Sequence, residues 1–191
     1  MGAPMSDDDD LDLDFTKPAK KPAPPPPPER VKEAKKEAAA SAPELARTGF
    51  YVAMARRPGE KIVPRNGSRH GILVIDDDMD LVKLVTEVLS KAGFLTRSAR
   101  NRTEINAEFN RTPLPDLILL DVTLPDSDGF SILERIRGNQ KITNMPVIMM
   151  TGKSGVTDIA RGLSLGADGY VTKPFKISGL VAAINTVLAL D

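Results

Sequence analysis

PDLILLDVTLPDSDGF, residues 115–130, is the stretch that decides the fold. Its apolar run at 117–120 is continuous rather than alternating, which is typical of a strand buried on both faces of a parallel sheet. The run ends in Asp121, and a helical pattern begins near residue 129. This order predicts one unit of a parallel α/β sheet, with a carboxylate at the carboxyl end of the strand, where such sheets bind ligands.

The same unit recurs on both sides of this stretch. Apolar residues between 81 and 92 and between 177 and 188 follow helical spacing, and weaker helical patterns cover 102–110, 129–137 and 156–165. Asp78 is a plausible N-cap for the first of these helices, and Gly93 is a plausible stop. Alternating strands and helices predict a three-layer, doubly wound α/β domain. The further short apolar runs lie at 72–75, 94–95, 147–150 and 170–171.

Composition changes near residue 70, which divides the chain in two. Eleven of the 16 prolines precede residue 71, in a segment that is acidic at 7–14 and then rich in Pro, Ala and Lys. We therefore expect residues 1–68 to be a disordered extension and residues 69–191 to be the folded domain. Residues 29–40 would form only a marginal helix alone. The apolar cluster at 50–54 fits either a loosely packed linker or a docking motif.

Charge and composition exclude several function classes. Lys+Arg and Asp+Glu both number 26, so no charge excess favours nucleic acid or an anionic membrane. The chain has no cysteine and no apolar run of the roughly 20 residues that a membrane span needs. A cytoplasmic protein that binds no nucleic acid is the simplest interpretation. The only histidine, His70, is expected at the surface.

The predicted strand ends carry the chemistry. If the sheet is parallel, Asp76, Asp77, Asp121, Thr151 and Lys173 gather at one edge. Clustered carboxylates repel one another and need a cation, and oxygen ligands without His or Cys favour Mg²⁺. A lysine and a hydroxyl suit phosphoryl oxygens, and a carboxylate can attack phosphorus to form an aspartyl phosphate.

Four sequence blocks follow one another in the chain: ILVIDDD (72–78), PDLILLDVTLPDSDGF (115–130), PVIMMTG (146–152) and GADGYVTKPF (166–175). Together they resemble the response-regulator receiver domain of two-component signalling. The resemblance spans residues 70–191 and implies a flavodoxin-like, five-stranded parallel sheet of strand order 2-1-3-4-5. It also implies a cis bond between Lys173 and Pro174.

The resemblance assigns a role to each site residue. Asp121 would be the phosphoacceptor and a ligand of Mg²⁺. Asp77 would bind the metal directly, Asp76 mainly through water, and Thr123 through its backbone carbonyl. The remaining roles would fall to Lys173 and Thr151, which would bind phosphoryl oxygens, and to Tyr170, the aromatic switch residue that would turn inward on phosphorylation.

The resemblance also implies how the protein works. We expect a stand-alone response regulator that acts as a switch rather than an enzyme, phosphorylated by a histidine kinase or a phosphotransfer protein. Its output would be a protein partner at the face formed by helix 156–165, strand 170–171 and helix 177–188. Gly162 is expected to soften that face. A relay intermediate that passes the phosphoryl group to a histidine, and a scaffold driven by the tail, remain alternatives. A phosphatase is disfavoured, because Thr123 stands where such enzymes commonly have a second Asp.

Overall fold

The computed structural model describes residues 15, 26–53, 56, 59, 61–152 and 155–190. The expectations for the rest of the first 25 residues, for Met54 and for the chain terminus lie outside these residues. The helices are α1 (Pro28–Thr48), α2 (Met79–Lys91), α3 (Arg102–Phe109), α4 (Gly129–Gly138), α5 (Val156–Leu165) and α6 (Ile177–Leu188), and the strands are β1 (Phe50–Val52), β2 (Gly71–Ile75), β3 (Leu95–Ala99), β4 (Leu117–Asp121), β5 (Val147–Thr151) and β6 (Gly169–Thr172).

The sheet has the order β1-β6-β5-β4-β2-β3. Strands β2 to β6 pair in parallel and reproduce the expected order 2-1-3-4-5, so the flavodoxin-like arrangement is confirmed. The expected number of five strands is wrong, because β1 adds antiparallel to β6. Without β1, strand β6 would be an edge with unpaired backbone groups, which proteins commonly cover.

Two apolar clusters lie on opposite faces of the sheet. Leu117 and Leu119 of β4 face the cluster that contains α2 and α6. Ile118 and Leu120 face the other cluster, which contains α3, α4 and α5. All four side chains are buried, which explains why this strand is apolar at every position before Asp121.

The ends of α2 confirm two predictions from the sequence. The Asp78 carboxylate accepts hydrogen bonds from the backbone N–H groups of Asp80 and Leu81, as an N-cap does. Gly93 follows the helix with a φ of +95°, a left-handed conformation that favours glycine. Helix α2 therefore begins immediately after the three aspartates that follow β2. Asp76 and Asp77 lie in the loop between β2 and α2.

The expectation of disorder across residues 1–68 is wrong for residues 28–52. Residues 28–48 form α1, which ends at Gly49 in a left-handed conformation, and residues 50–52 form β1. Ala34, Ala38 and Leu45 of α1 are buried in the cluster that also contains α5. A helix that is marginal alone is stabilised once its apolar side packs against another element.

Phe15 is the one described residue before position 26. Its side chain is 2% exposed, and its ring stacks on Phe109 of α3 with 5.1 Å between centroids. The Arg135 guanidinium of α4 lies 4.9 Å from the ring centroid, a cation–π distance. The Phe15 side chain thus packs against both α3 and α4.

His70 is not at the surface as expected. Its side chain is 9% exposed, and its Nε2 lies 2.7 Å from the Ile62 carbonyl oxygen. The segment before β2 covers this imidazole, which sequence periodicity does not report. Across the described residues, no helix combines the length and apolarity needed to cross a membrane.

Candidate functional site

The sequence-predicted site residues meet at one edge of the sheet. Asp76 follows β2, Asp121 ends β4, Thr151 ends β5 and Lys173 follows β6. These strands run parallel and are neighbours in the sheet, so their carboxyl ends lie side by side.

A cluster of carboxylates forms the centre of this edge. Asp76, Asp77 and Asp121 each offer one oxygen, and these oxygens all lie within 4.8 Å of one another. Asp76 is fully buried, Asp121 is nearly so, and Asp77 is exposed. Hard oxygen donors that open to solvent on one side fit Mg²⁺, which keeps part of its water shell in proteins.

Lys173 partly balances the negative charge of the cluster. Its Nζ lies 2.6 Å from Asp76 Oδ2 and 3.2 Å from Asp121 Oδ2. Burial by itself would lower the pKa of this lysine, but the hydrogen bond to Asp76 and the charge of Asp121 outweigh it and raise the pKa. Lys173 is therefore a positive charge held against the carboxylate that would take a phosphoryl group.

Burial and a like charge act together on Asp121. Burial raises the pKa of its carboxyl, and the nearby Asp76 charge raises it further, while Lys173 opposes both. The Thr123 backbone N–H also donates to this carboxylate and lowers the pKa. The pKa of Asp121 is raised overall, because burial outweighs Lys173 and the Thr123 N–H. These two groups act in the opposite direction and favour the anionic form, which is the nucleophilic one.

The two predicted threonines of the site lie in different elements. Thr151 ends β5, and Thr123 lies in the loop between β4 and α4. Thr151 is 1% exposed, and its carbonyl accepts the Lys173 N–H at 2.7 Å. Thr123 forms an isolated antiparallel bridge with Asp128, immediately before α4. The expected metal ligation by the Thr123 carbonyl and the expected phosphoryl contact of Thr151 remain predictions. By its resemblance to receiver domains, Lys153 would lie near the water that hydrolyses the phosphoryl group. This residue is outside the described residues.

Tyr170 is already inside the domain. Its side chain is fully buried, and its hydroxyl donates to the Asp158 carbonyl of α5 at 3.1 Å. Burial raises the pKa of this phenol, which keeps it neutral. The side chain therefore already points inward in this structure, and its role as a switch residue stays a prediction.

The structure explains why residue 162 is a glycine, which the sequence alone did not. A Cβ at this position would lie 1.6 Å from the Tyr170 hydroxyl oxygen and 2.6 Å from Cζ. Because Gly162 has no side chain, the Tyr170 ring can lie against α5 at this position. The sequence signal was a glycine in the middle of a helical pattern, where a packing reason is common.

We expect Gly162→Ala to destabilise the domain, rather than to stiffen α5 as helix propensity alone predicts. The gain in propensity is about 1 kcal/mol. The clash with the tyrosine ring costs about 1–3 kcal/mol or more, because the buried ring must move. Urea unfolding measures the net change. In a Tyr170→Ala background the same substitution should become neutral or stabilising, and an equal loss of stability in both backgrounds would contradict this explanation.

Gly129 is the second residue that sequence reasoning missed. A Cβ on this first residue of α4 would lie 2.2 Å from the Asp121 carbonyl oxygen and 2.9 Å from Val122 Cα. The Gly129 N–H also donates to the Val122 carbonyl at 3.0 Å. The helix start is therefore packed directly against the backbone that presents the Asp121 carboxylate. Glycine at the start of a helix, where most residues have better propensity, was the available signal.

Comparisons with known proteins agree with this geometry. A family model described as "Response regulator receiver domain" matches residues 72–185. The solved structure of a putative response regulator from Chloroflexus aurantiacus is similar, with a TM-score of 0.60 and 30% identity, over 64% of this chain and 99% of that one.

Curated relatives extend beyond the matched region. The transcriptional regulatory protein GltR of Pseudomonas aeruginosa is 42% identical over 120 residues, which are 61% of this chain and 48% of that protein. The regulatory protein VanRc of Enterococcus gallinarum is 43% identical over 117 residues, which are 61% of this chain and 49% of that protein. The chain spans about half the length of these relatives.

Proposed function

Because this chain belongs to the response regulator receiver domain family, we propose that it is a phosphorylation-dependent switch whose phosphoacceptor is Asp121. The observation that carries the proposal is the contact of the Asp121 carboxylate with Lys173, 3.2 Å away, inside the carboxylate cluster. This arrangement combines a nucleophile with a fixed positive charge for phosphoryl oxygens.

The transfer makes one bond and breaks another. An Asp121 carboxylate oxygen attacks phosphorus, and the bond from phosphorus to the donor breaks as the new P–O bond forms. The donor keeps the bonding electron pair, so a phosphohistidine donor is left with a free imidazole side chain. A histidine kinase or a phosphotransfer protein is the proposed donor, and the product is an aspartyl phosphate.

The chain's own residues would hold the group in place. Lys173 would exchange its contact with Asp76 for one with a phosphoryl oxygen, and the Thr151 hydroxyl would donate to another. Asp76, Asp77 and Asp121 would hold Mg²⁺, which supplies neutralisation of the phosphoryl charge when bound. Signalling would then proceed by contact with a protein partner, and the absence of nucleic-acid binding stays a prediction.

Acetyl phosphate and Mg²⁺ test the proposal on the full chain without a kinase. The expected product is an acyl phosphate, which borohydride reduces to homoserine at position 121. Peptide mapping identifies the reduced residue, and EDTA provides the control in which no product forms. Homoserine at another aspartate, or a phosphoryl group on a serine or threonine, would contradict the assignment.

We expect Asp77→Asn to weaken Mg²⁺ binding by at least about tenfold, since even outer-shell metal partners have effects of that size. The substitution removes an exposed carboxylate from the cluster without changing the side-chain size. Isothermal titration with MgCl₂ measures the affinity. Asp80→Asn, at an exposed acid in the first turn of α2, is the matched control. Equal affinities in both variants would remove Asp77 from the metal site.

A further inference from the structure

The face formed by α5, β6 and α6 is occupied by the chain itself. We propose that residues 28–52 are a releasable cover on this face, and that phosphorylation of Asp121 releases them so that a partner protein can bind there. This inference rests on the proposed function. It gives the extension a regulatory role. For the apolar cluster at 50–54, the sequence left a loosely packed linker and a docking motif as alternatives.

Helix α1 covers α5 with a seam of small residues. Ala34 and Ala38 are fully buried in this contact, and Leu45 is 2% exposed. At the other end of the seam, the Arg30 guanidinium donates to the Leu163 carbonyl in the last turn of α5 at 3.2 Å. A positive charge is favourable at the carboxyl end of a helix.

Strand β1 completes the cover by pairing with β6. Phe50 is opposite Val171, and Val52 is opposite Gly169. Beyond the pairing, the Ala53 N–H donates to the Asp168 carbonyl at 2.9 Å. The backbone groups of β6 that would otherwise be an open edge are therefore used by the chain's own extension.

The covered face is shaped for this occupant. A Cβ on Gly169 in β6 would lie 2.9 Å from the Tyr51 carbonyl oxygen. A Cβ on Gly179 in α6 would lie 3.3 Å from Phe50 Cδ1 and 3.4 Å from the Thr48 carbonyl oxygen. Glycines thus stand where the extension approaches most closely, which indicates a specific contact.

The apolar side chains that α1 buries are mostly small, whereas β4 buries leucine and isoleucine side chains at positions 117–120. Alanine side chains bury little apolar area, so each contributes little to docking. The strand has three residues, and all three are only partly buried. Elements with few buried apolar contacts open at low free-energy cost, below that of global unfolding. We therefore expect the cover, rather than the central strands, to respond to a modest change at the switch.

A short backbone path connects the cover to the phosphorylation site. Thr172 donates its N–H to the Gly49 carbonyl at 3.0 Å, and Gly49 is the joint between α1 and β1. The next residue is Lys173, whose N–H donates to the Thr151 carbonyl at 2.7 Å. In the proposed function both Lys173 and Thr151 are drawn to the phosphoryl group, so Thr172 moves with them. Because Tyr170 is already buried, rotation of its side chain is not required.

Release would expose the edge of β6 and the side of α5 that α1 covers. The edge of β6 would offer unpaired N–H and C=O groups to an incoming strand. The side of α5 that now contacts Ala34 and Ala38 would be open to another helix with small side chains. A partner that carries a helix followed by a short extended segment fits this surface, by the strand-addition mode of recognition. Partner and extension would compete for one face.

Amide hydrogen exchange on the full chain tests the release. With acetyl phosphate and Mg²⁺, we expect exchange in residues 30–52 to become faster by about tenfold or more, while β4 stays protected. Asp121→Asn, treated identically, should show no change. Intact mass reports phosphorylation independently. Unchanged or slower exchange in phosphorylated protein would overturn the release and leave the proposed function standing, whereas no phosphorylation would overturn both.

A matched pair of α1 variants tests the occupancy of the face. Ala38 is buried on α5 and Ala39 is exposed, so Ala38→Glu should undock the cover and Ala39→Glu should not. The probe is a labelled peptide of residues 26–53 with the natural sequence. We expect it to bind Ala38→Glu at least about tenfold more tightly than Ala39→Glu, whose face is filled. Equal binding to both variants, or to neither, would overturn the proposal.

Discussion

Asp121→Asn should abolish phosphoryl incorporation, with a loss of about three orders of magnitude or more, as removal of a covalent nucleophile typically causes. The amide keeps the size of the side chain and removes the anionic oxygen that attacks phosphorus. It also removes one of the three carboxylates of the cluster. Incorporation from acetyl phosphate, followed by intact mass at saturating Mg²⁺, measures the effect.

A matched control separates nucleophile loss from general damage to the acidic edge. Asp78→Asn also removes one carboxylate beside the cluster, but this side chain caps α2, and Asn caps helices as well as Asp does. We expect Asp78→Asn to be phosphorylated normally. If Asp121→Asn is phosphorylated as fast as the protein of natural sequence, another residue is the acceptor. Both variants should remain folded, because neither changes a buried apolar contact.

Gly129→Ala should lower the free energy of unfolding by about 1–3 kcal/mol or more, the range for overpacked sites. The added Cβ would lie 2.2 Å from the Asp121 carbonyl oxygen, and the atoms it meets are backbone, which cannot rotate away. The start of α4 must therefore move from the end of β4. This movement also displaces the Asp121 carboxylate, so phosphorylation should slow as well as stability fall.

Gly152→Ala is the control for this prediction. Gly152 follows Thr151 at the same edge of the sheet, and a Cβ there would meet no atom within 4 Å. We expect its free energy of unfolding to change by less than about 0.5 kcal/mol, as for most surface substitutions. Urea unfolding of both variants gives the comparison. A similar loss in both would mean that glycine flexibility, rather than the close approach of α4, is what the site needs.

The sequence by itself determined the parallel sheet and the residues at its edge. Continuous apolar runs and helical periodicity are local signals, and they predicted the five parallel strands, their order by resemblance, and the cap at Asp78. The site followed because each of its residues stands next to the end of a strand. Parallel strands bring such residues together whatever the loops do, so Asp76, Asp121 and Lys173 could be grouped without coordinates.

Only the tertiary structure decided how the extension and the glycines are used. Helix α1 is marginal alone and becomes stable on α5, through contacts such as Arg30 to Leu163 between residues 133 positions apart. Strand β1 forms because β6 would otherwise be an open edge, and a three-residue strand has no periodicity to detect. Gly129 and Gly162 matter through atoms of Asp121 and Tyr170 that lie close only after folding. Such contacts depend on which surfaces meet in space, and local residue patterns do not contain that information.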